Sequence, residues 1–398
     1  MVSARKILTN FRTWSPKMMK KSFACLITTG LCALPTLTFA DSPYFSLKDG
    51  DGFKRFSISA GPLYVKPTGK GQPIRVNTSV AEGTKTKVGD VKGDSVLDAI
   101  DESQPEATAK KAILKGVLDL ERHTLLNLGK EGIVSYKGDD GAQYLRASTA
   151  GTAEINGLSS WENQGTGLEA DDVLTLGIMT SYHFTDNLSL EVKAGIPPKV
   201  DIQGKGKIYA PLTGIATPEG LGVVVGDLPL KKDIFITDLE AHKKTSSARA
   251  WTPAFELQYR FGKTGINKFR PYVGLGLMYA YFSELEMNPD LEKDLVNAGH
   301  MIVNIKDGKA GAALDQKKSS GNPKVKLDAS DTFAPVATVG FTYDFNEKWY
   351  AVGSVSYAHL STDATITVND SKYGELIKAK ADIEINPILG YAGIGYRF

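Results

Sequence analysis

Residues 383–398, the final stretch of the chain, read IEINPILGYAGIGYRF. The stretch alternates, carries aromatics and glycine, and stops on Phe398. Two settings suit it. One is a core strand of a soluble sheet. The other is the closing strand of a membrane barrel, where the last strand must pair with the first because lipid satisfies no open sheet edge. The rest of the chain decides between them.

Working outward from this end, the same period-2 pattern returns seven times. In 331–345, Phe333, Pro335, Ala337, Val339, Phe341 and Tyr343 oppose Thr332, Ala334, Val336, Thr338, Gly340 and Thr342. Residues 349–368 follow after the turn Asn346-Glu347-Lys348. Upstream, 251–261 and 269–283 alternate around a short connection at 262–268, and 173–184 and 188–196 flank the turn Thr185-Asp186-Asn187. The first strand is 53–66. At 390–393 the parity of the last strand slips, which predicts a bulge.

These strands are joined by alternately long and short connections, the arrangement of an outer-membrane barrel with short periplasmic turns and long external loops. The expectation is therefore all-β: an eight-stranded antiparallel transmembrane β-barrel over 53–398, both ends periplasmic, greasy faces outward. The insertion at 67–171 does not alternate. Its middle, 95–128, is predicted to be helical, because Ile113, Leu114, Val117, Leu118, Leu120 and Leu125 recur at helix-like spacing. A small helical cap on the barrel mouth is expected there, with solvated loops at 200–249 and 284–330.

The address agrees. Residues 1–40 hold six basic residues and no acid, then an apolar run at 23–37 and small residues at Thr38-Phe39-Ala40. That reads as a cleaved export signal starting at Met18 or Met19, with 1–17 either an upstream over-extension or an extended basic start to the signal, and 41–52 a periplasmic segment. Without the signal the 45 acids outnumber the remaining bases by four, which gives no electrostatic case for nucleic acid. Both cysteines, Cys25 and Cys32, lie in the signal, so disulfides and thiolate metal sites are excluded from the rest.

Three stretches resemble the OmpW/AlkL family of small outer-membrane proteins: HFTDNLSLEVKAGIPPK (183–199), KFRPYVGLGLMYAYF (268–282) and the terminal GYRF (395–398). The large insertion lies outside the likeness. The resemblance implies an outer-membrane channel for passive uptake of small hydrophobic molecules, with sideways release into the bilayer. Its partners would be outer-membrane lipid and lipopolysaccharide, small apolar solutes, and the barrel assembly machinery, which would read Tyr396 and Phe398. The candidate apolar route is Met179, Tyr272, Met278, Tyr357 and Leu360. Pro197-Pro198 is the candidate lateral opening, since proline donates no ladder bond. Relatives carry a tryptophan where this chain has Ser356, which puts the usual constriction in doubt.

Glu191, Lys193, Glu256, Arg260, Arg270 and Glu384 fall on polar faces and are expected to fill the lumen as a charge-balanced plug. No enzyme, cofactor or metal is expected: His123, His183, His242, His300 and His359 are scattered, and no H-E-x-x-H or G-x-S-x-G occurs. Gly262-Lys263-Thr264 mimics a phosphate loop, but Leu257 stands where its first glycine would be. The competing function is a closed structural or surface barrel whose loops bind a host factor, phage or bacteriocin. A lipid-acting barrel enzyme finds only His359 and Ser361 for its chemistry.

Overall fold

The structure is a computed structural model describing residues 53–398, apart from 129, 130 and 243 and the side chains of 124–128. The export signal and the segment at 41–52 lie outside the described residues.

Eight strands close a ring: β1 Phe56–Lys66, β2 Val173–His183, β3 Leu188–Gly195, β4 Ala254–Arg260, β5 Phe269–Met287, β6 Thr332–Asp344, β7 Trp349–Ala358 and β8 Ile388–Arg397. Each pairs antiparallel with its sequence neighbour, and β8 pairs back onto β1 through Ser57↔Arg397 to Lys66↔Ile388. The expected barrel is present. Its greasy faces look out: Leu174, Leu275, Phe333 and Val339 are each at least 61% exposed, while Ser181, Gln258, Thr338 and Thr342 on the opposite faces are buried. Apolar side chains left in contact with the surroundings around a whole barrel mark a hydrocarbon solvent. Aromatic pairs ring the periplasmic end, among them Trp349 with Tyr396 and Phe269 with Phe341. Among the described residues no helix is long and apolar enough to cross a membrane.

The expected bulge is absent. The β8 register runs without a shift against both β1 and β7. The parity slips in the sequence because 383–398 is two strands. Gly374–Glu384 ends a cap strand, Asn386 turns at φ 40°, and β8 begins after Pro387. The expected strand at 349–368 likewise divides into β7 and Ser361–Asp370.

The external connections are not solvated loops. They fold together into a cap with one apolar core, containing Val91, Leu158, Ile302, Val368 and Leu376, all nearly or wholly buried. One cap sheet orders Lys324–Ala329, Ser361–Asp370, Gly374–Glu384, Ile74–Thr78 and Ser160–Asn163, so it draws on three separate connections. Another centres on the hairpin Lys207–Thr217 and Leu228–Asp238. The stretch expected to be helical is two helices, Gly93–Ala99 and Ala107–Leu128, parted near Pro105, rather than one.

A further helix, Pro289–Lys306, stands where a loop was expected. Asn288 caps it by accepting from Asp290 N at 2.9 Å, Pro289 occupies the first turn, and Asp290 and Glu292 meet the positive dipole end. Its buried face, Leu291, Ala298, Met301, Ile302 and Ile305, packs into the cap core.

Candidate functional site

Strand alternation sends the polar residues of β3, β4, β6 and β7 inward, where they must satisfy one another. Glu191 and Glu256 are direct ladder partners. Lys193, one inward step above Glu191, bridges them: its Nζ lies 2.6 Å from Glu256 Oε1 and 3.9 Å from Glu191 Oε1. The same ammonium donates to Thr338 Oγ1 at 2.8 Å and Ser356 Oγ at 3.1 Å. Gln258 Nε2 and Ser181 Oγ donate to Glu191, and Thr338 donates to Glu256. This layer fills the barrel waist.

Below it, Arg260 stacks over Tyr272 at 5.9 Å, and Arg397 pairs with Asp344 at 2.6 Å while covering Tyr350. Arg270, 1% exposed, sits at the periplasmic floor. It meets Asp186 Oδ1 at 3.0 Å and donates to Thr264 Oγ1 and to the carbonyls of Asp186, Phe261 and Gly262, so it ties two turns together.

Just above the waist the wall opens. The β3–β4 ladder ends at Lys193↔Ala254 and resumes only at Lys199↔Arg249, in cap strands that continue the sheet. Between these points stand Pro197, Pro198 and Pro253, none of which has an N–H to give. At its upper end Pro198 O accepts from Ala250 N and Pro197 O from Arg249 Nη1, each at 3.0 Å, and below them the edges bond away from the break. Ile196 N donates to Leu176 O on β2 at 3.0 Å, and Pro253 O accepts from Tyr279 N on β5 at 2.9 Å. A cavity of about 100 Å³ fills the break. It reaches from the outer-face Ile196 and Trp251 to the inner-face Met179, Lys193, Met278 and Ser356.

Above the break, between cap and barrel, is an apolar chamber of about 170 Å³. Leu168, Ile236, Met301, Leu327, Ile366 and Ile383 are among its walls. It shares Val65, Pro198, Ala250, Thr252, Met278 and Leu389 with the cavity in the wall, so the two spaces abut. Among the described residues no group of His, Cys, Asp and Glu is placed to hold a metal ion.

The profile of the outer membrane protein β-barrel domain matches residues 139–398. This chain belongs to that family. The outer membrane β-barrel protein is 28% identical over 259 residues to outer membrane protein W of Vibrio cholerae, covering 65% of this chain and 89% of the relative. The crystal structure of OprG from Pseudomonas aeruginosa matches at 15% identity and a TM-score of 0.42, covering 87% and 98% of the two chains. The structure of AlkL in lipid bilayers matches at 12% identity and a TM-score of 0.35, covering 90% and 97%. The likeness to the OmpW family read from three short stretches is borne out, and the outer membrane is the place of this barrel.

Not every candidate of this β-barrel protein converges. Met278 and Leu360 pack together beneath the chamber, and Met179 and Tyr272 lie lower, with Tyr350 and Tyr391. Tyr357 is corrected: it is 46% exposed on the outer face, because it shares the parity of Val355. Glu384 is also corrected. It belongs to a cap strand and accepts from Gln72 Nε2 at 3.0 Å, away from the waist, because the barrel strand starts four residues later. The sequence reading missed Pro253, whose signal was a proline inside an alternating run. It also missed Gln258, Thr338 and Ser356 as partners of the waist charges. Ser356, a small side chain, lines the inner side of the break.

Proposed function

We propose that this protein carries compact apolar molecules across the outer membrane and releases them sideways into the bilayer. Solutes collect in the cap chamber, pass Met278, and leave between β3 and β4. The observation that carries this reading is the gap in strand pairing between 194–196 and 251–253, just below the Ala250 N to Pro198 O bond, with a cavity lined from both faces of the wall above a waist packed with ion pairs. An apolar solute gains nothing by crossing buried charges. It loses no hydrogen bond by moving from a greasy chamber into hydrocarbon. The outward apolar band would meet lipid and, in the outer leaflet, lipopolysaccharide.

The test is transfer of a fluorescent hydrocarbon into liposomes carrying the protein. Ala254→Phe places a ring in the break, and the expected result is at least about a tenfold loss of transfer with the barrel still folded. Unchanged transfer would end the proposal. A second reading, a closed barrel whose cap docks an external partner, draws on Leu221, Val223 and Val224, which stand 59%, 63% and 70% exposed on the cap. It gains ground if no hydrocarbon is transferred at all.

A further inference from the structure

We infer that the periplasmic rim of the barrel, along the arc from β4 to β7, is a binding surface for anionic phospholipid, whose phosphate charge no headgroup amine offsets. The surface lies at the far end of the barrel from the cap chamber and does not depend on transport.

Three lysines make it. Lys263 and Lys268 belong to the turn between β4 and β5, and Lys348 to the turn between β6 and β7. All three are exposed, and among the described residues none of them has an ion-pair partner. The two turns are neighbours, since Lys268 O accepts from Asp344 N at 2.8 Å, two residues before the second turn begins. The acids nearby do not offset the lysines. Arg270 holds Asp186 at 3.0 Å and Arg397 holds Asp344 at 2.6 Å. On the described residues of these turns that leaves exposed Glu347 as one acid against three cations. Cations near the external strand ends are matched instead: Lys199 Nζ lies 2.6 Å from Glu286 Oε2, and Arg249 Nε 2.9 Å from Glu284 Oε2.

Depth decides what the lysines meet. Phe261 stands two residues before Lys263, Phe269 directly after Lys268, and Phe345 and Trp349 on either side of Lys348, all exposed. Aromatic belts of this kind sit at the level of the lipid headgroups. The lysines interleaved with them therefore lie beside lipid phosphates, where basic residues attract anionic lipid. Ile266, on the first turn, is 75% exposed, which suits a turn resting against lipid rather than standing in water. The turn is also held in place. Thr264 N donates to Asp186 Oδ2 at 2.9 Å, Lys263 N donates to Asn267 Oδ1 at 3.0 Å, and Arg270 ties the turn to the one before it. A fixed base loses little backbone freedom when a headgroup binds.

Trp349 is the reporter for the test. Trp161→Phe with Trp251→Phe leaves it the only tryptophan after Trp14. The protein is placed in nanodiscs of mixed phosphatidylglycerol and phosphatidylcholine, with one lipid or the other brominated on its acyl chains. Quenching then reads the lipid beside the ring. Phosphatidylglycerol should be enriched about twofold over its bulk share, and about 0.5 M salt should reduce the enrichment. Lys263→Gln, Lys268→Gln and Lys348→Gln together should remove it, while quenching by phosphatidylcholine alone stays as it was, which shows that the barrel still sits in lipid. Trp251, left as the reporter by Trp161→Phe with Trp349→Phe, should find no enrichment at the external end. Native mass spectrometry of the protein with all its tryptophans, with and without the three lysine substitutions, gives the same comparison as a count of retained phosphatidylglycerol. Equal shares of the two lipids beside Trp349 would overturn the inference. So would an enrichment that survives the lysine substitutions or appears equally at Trp251. Binding of a soluble muropeptide through the same lysines, with no lipid enrichment, would give the cations to the cell wall and overturn it as well.

Discussion

Lys193 Nζ lies 2.6 Å from Glu256 Oε1 inside the barrel, one ladder step from the point where β3 and β4 part. The pair does two things. It sets one cation between two carboxylates that face each other across the strands, and it forms the floor under the opening in the wall. Replacing Lys193 with Met leaves Glu191 and Glu256 buried with no cation between them. Breaking a buried pair in this way costs about 3–5 kcal/mol. Lys193→Met should lower the urea midpoint of the detergent-folded barrel accordingly, and Lys193→Met with Glu256→Gln should recover much of the loss. No change on Lys193→Met would mean that the waist charges do not hold the floor.

Phe398 closes the seam. Its N–H donates to Phe56 O at 2.9 Å, and its ring packs against Phe56 at 5.6 Å and Tyr396 at 5.1 Å. We propose that the same residue is read during assembly. Deleting it should cut the folded fraction in the outer membrane several-fold, measured by heat-modifiable migration on a gel, and Phe398→Trp should restore it. Full assembly after deletion would leave the seam contact without a role.

The barrel was legible because each of its strands separates two solvents. Lipid on one side and packed polar groups on the other write a period of two into the sequence, and Glu191, Lys193 and Glu256 stood out on that account. Tyr357 was equally legible by parity. Placing it on the route set a functional expectation above the pattern. The cap was not legible, for a physical reason. Ile74–Thr78 pairs with Gly374–Glu384, some three hundred residues away, and no local period announces such a partner. Strands of four or five residues with one face on a shared core read as loops. Ser361–Asp370 continues the alternation of β7 closely enough that only the turn near Leu360, where Ile385 N and Asn386 N both bond its carbonyl, divides them.

Asp363 and Asp382 stand opposite each other in the cap sheet. A hydrogen bond shared with Asp363, then partial burial and the neighbouring charge, raise the Asp382 carboxyl above its ordinary value. The folded cap therefore takes up this proton more readily than the unfolded chain, and the cost of ionising it is complete above the raised value and gone below the ordinary one. Asp382→Asn should stabilise the cap at neutral pH. The advantage over the unaltered protein should shrink as pH falls through the raised value toward the ordinary carboxylate range. Thermal unfolding of both proteins across that range checks it; an advantage that grows on acidification would contradict the sign.

The most direct measurement is photolabelling with a diazirine-bearing alkane in nanodiscs, followed by mapping of the adducts. Passage through the wall predicts labels on Met278 and Leu360 beneath the chamber and on Ile196 and Trp251 at the break, with none on Arg260, Tyr272 or Tyr350 below the waist. Labels on Arg260 and Tyr350, with Ile196 and Trp251 bare, would place the route down the barrel axis and contradict the account.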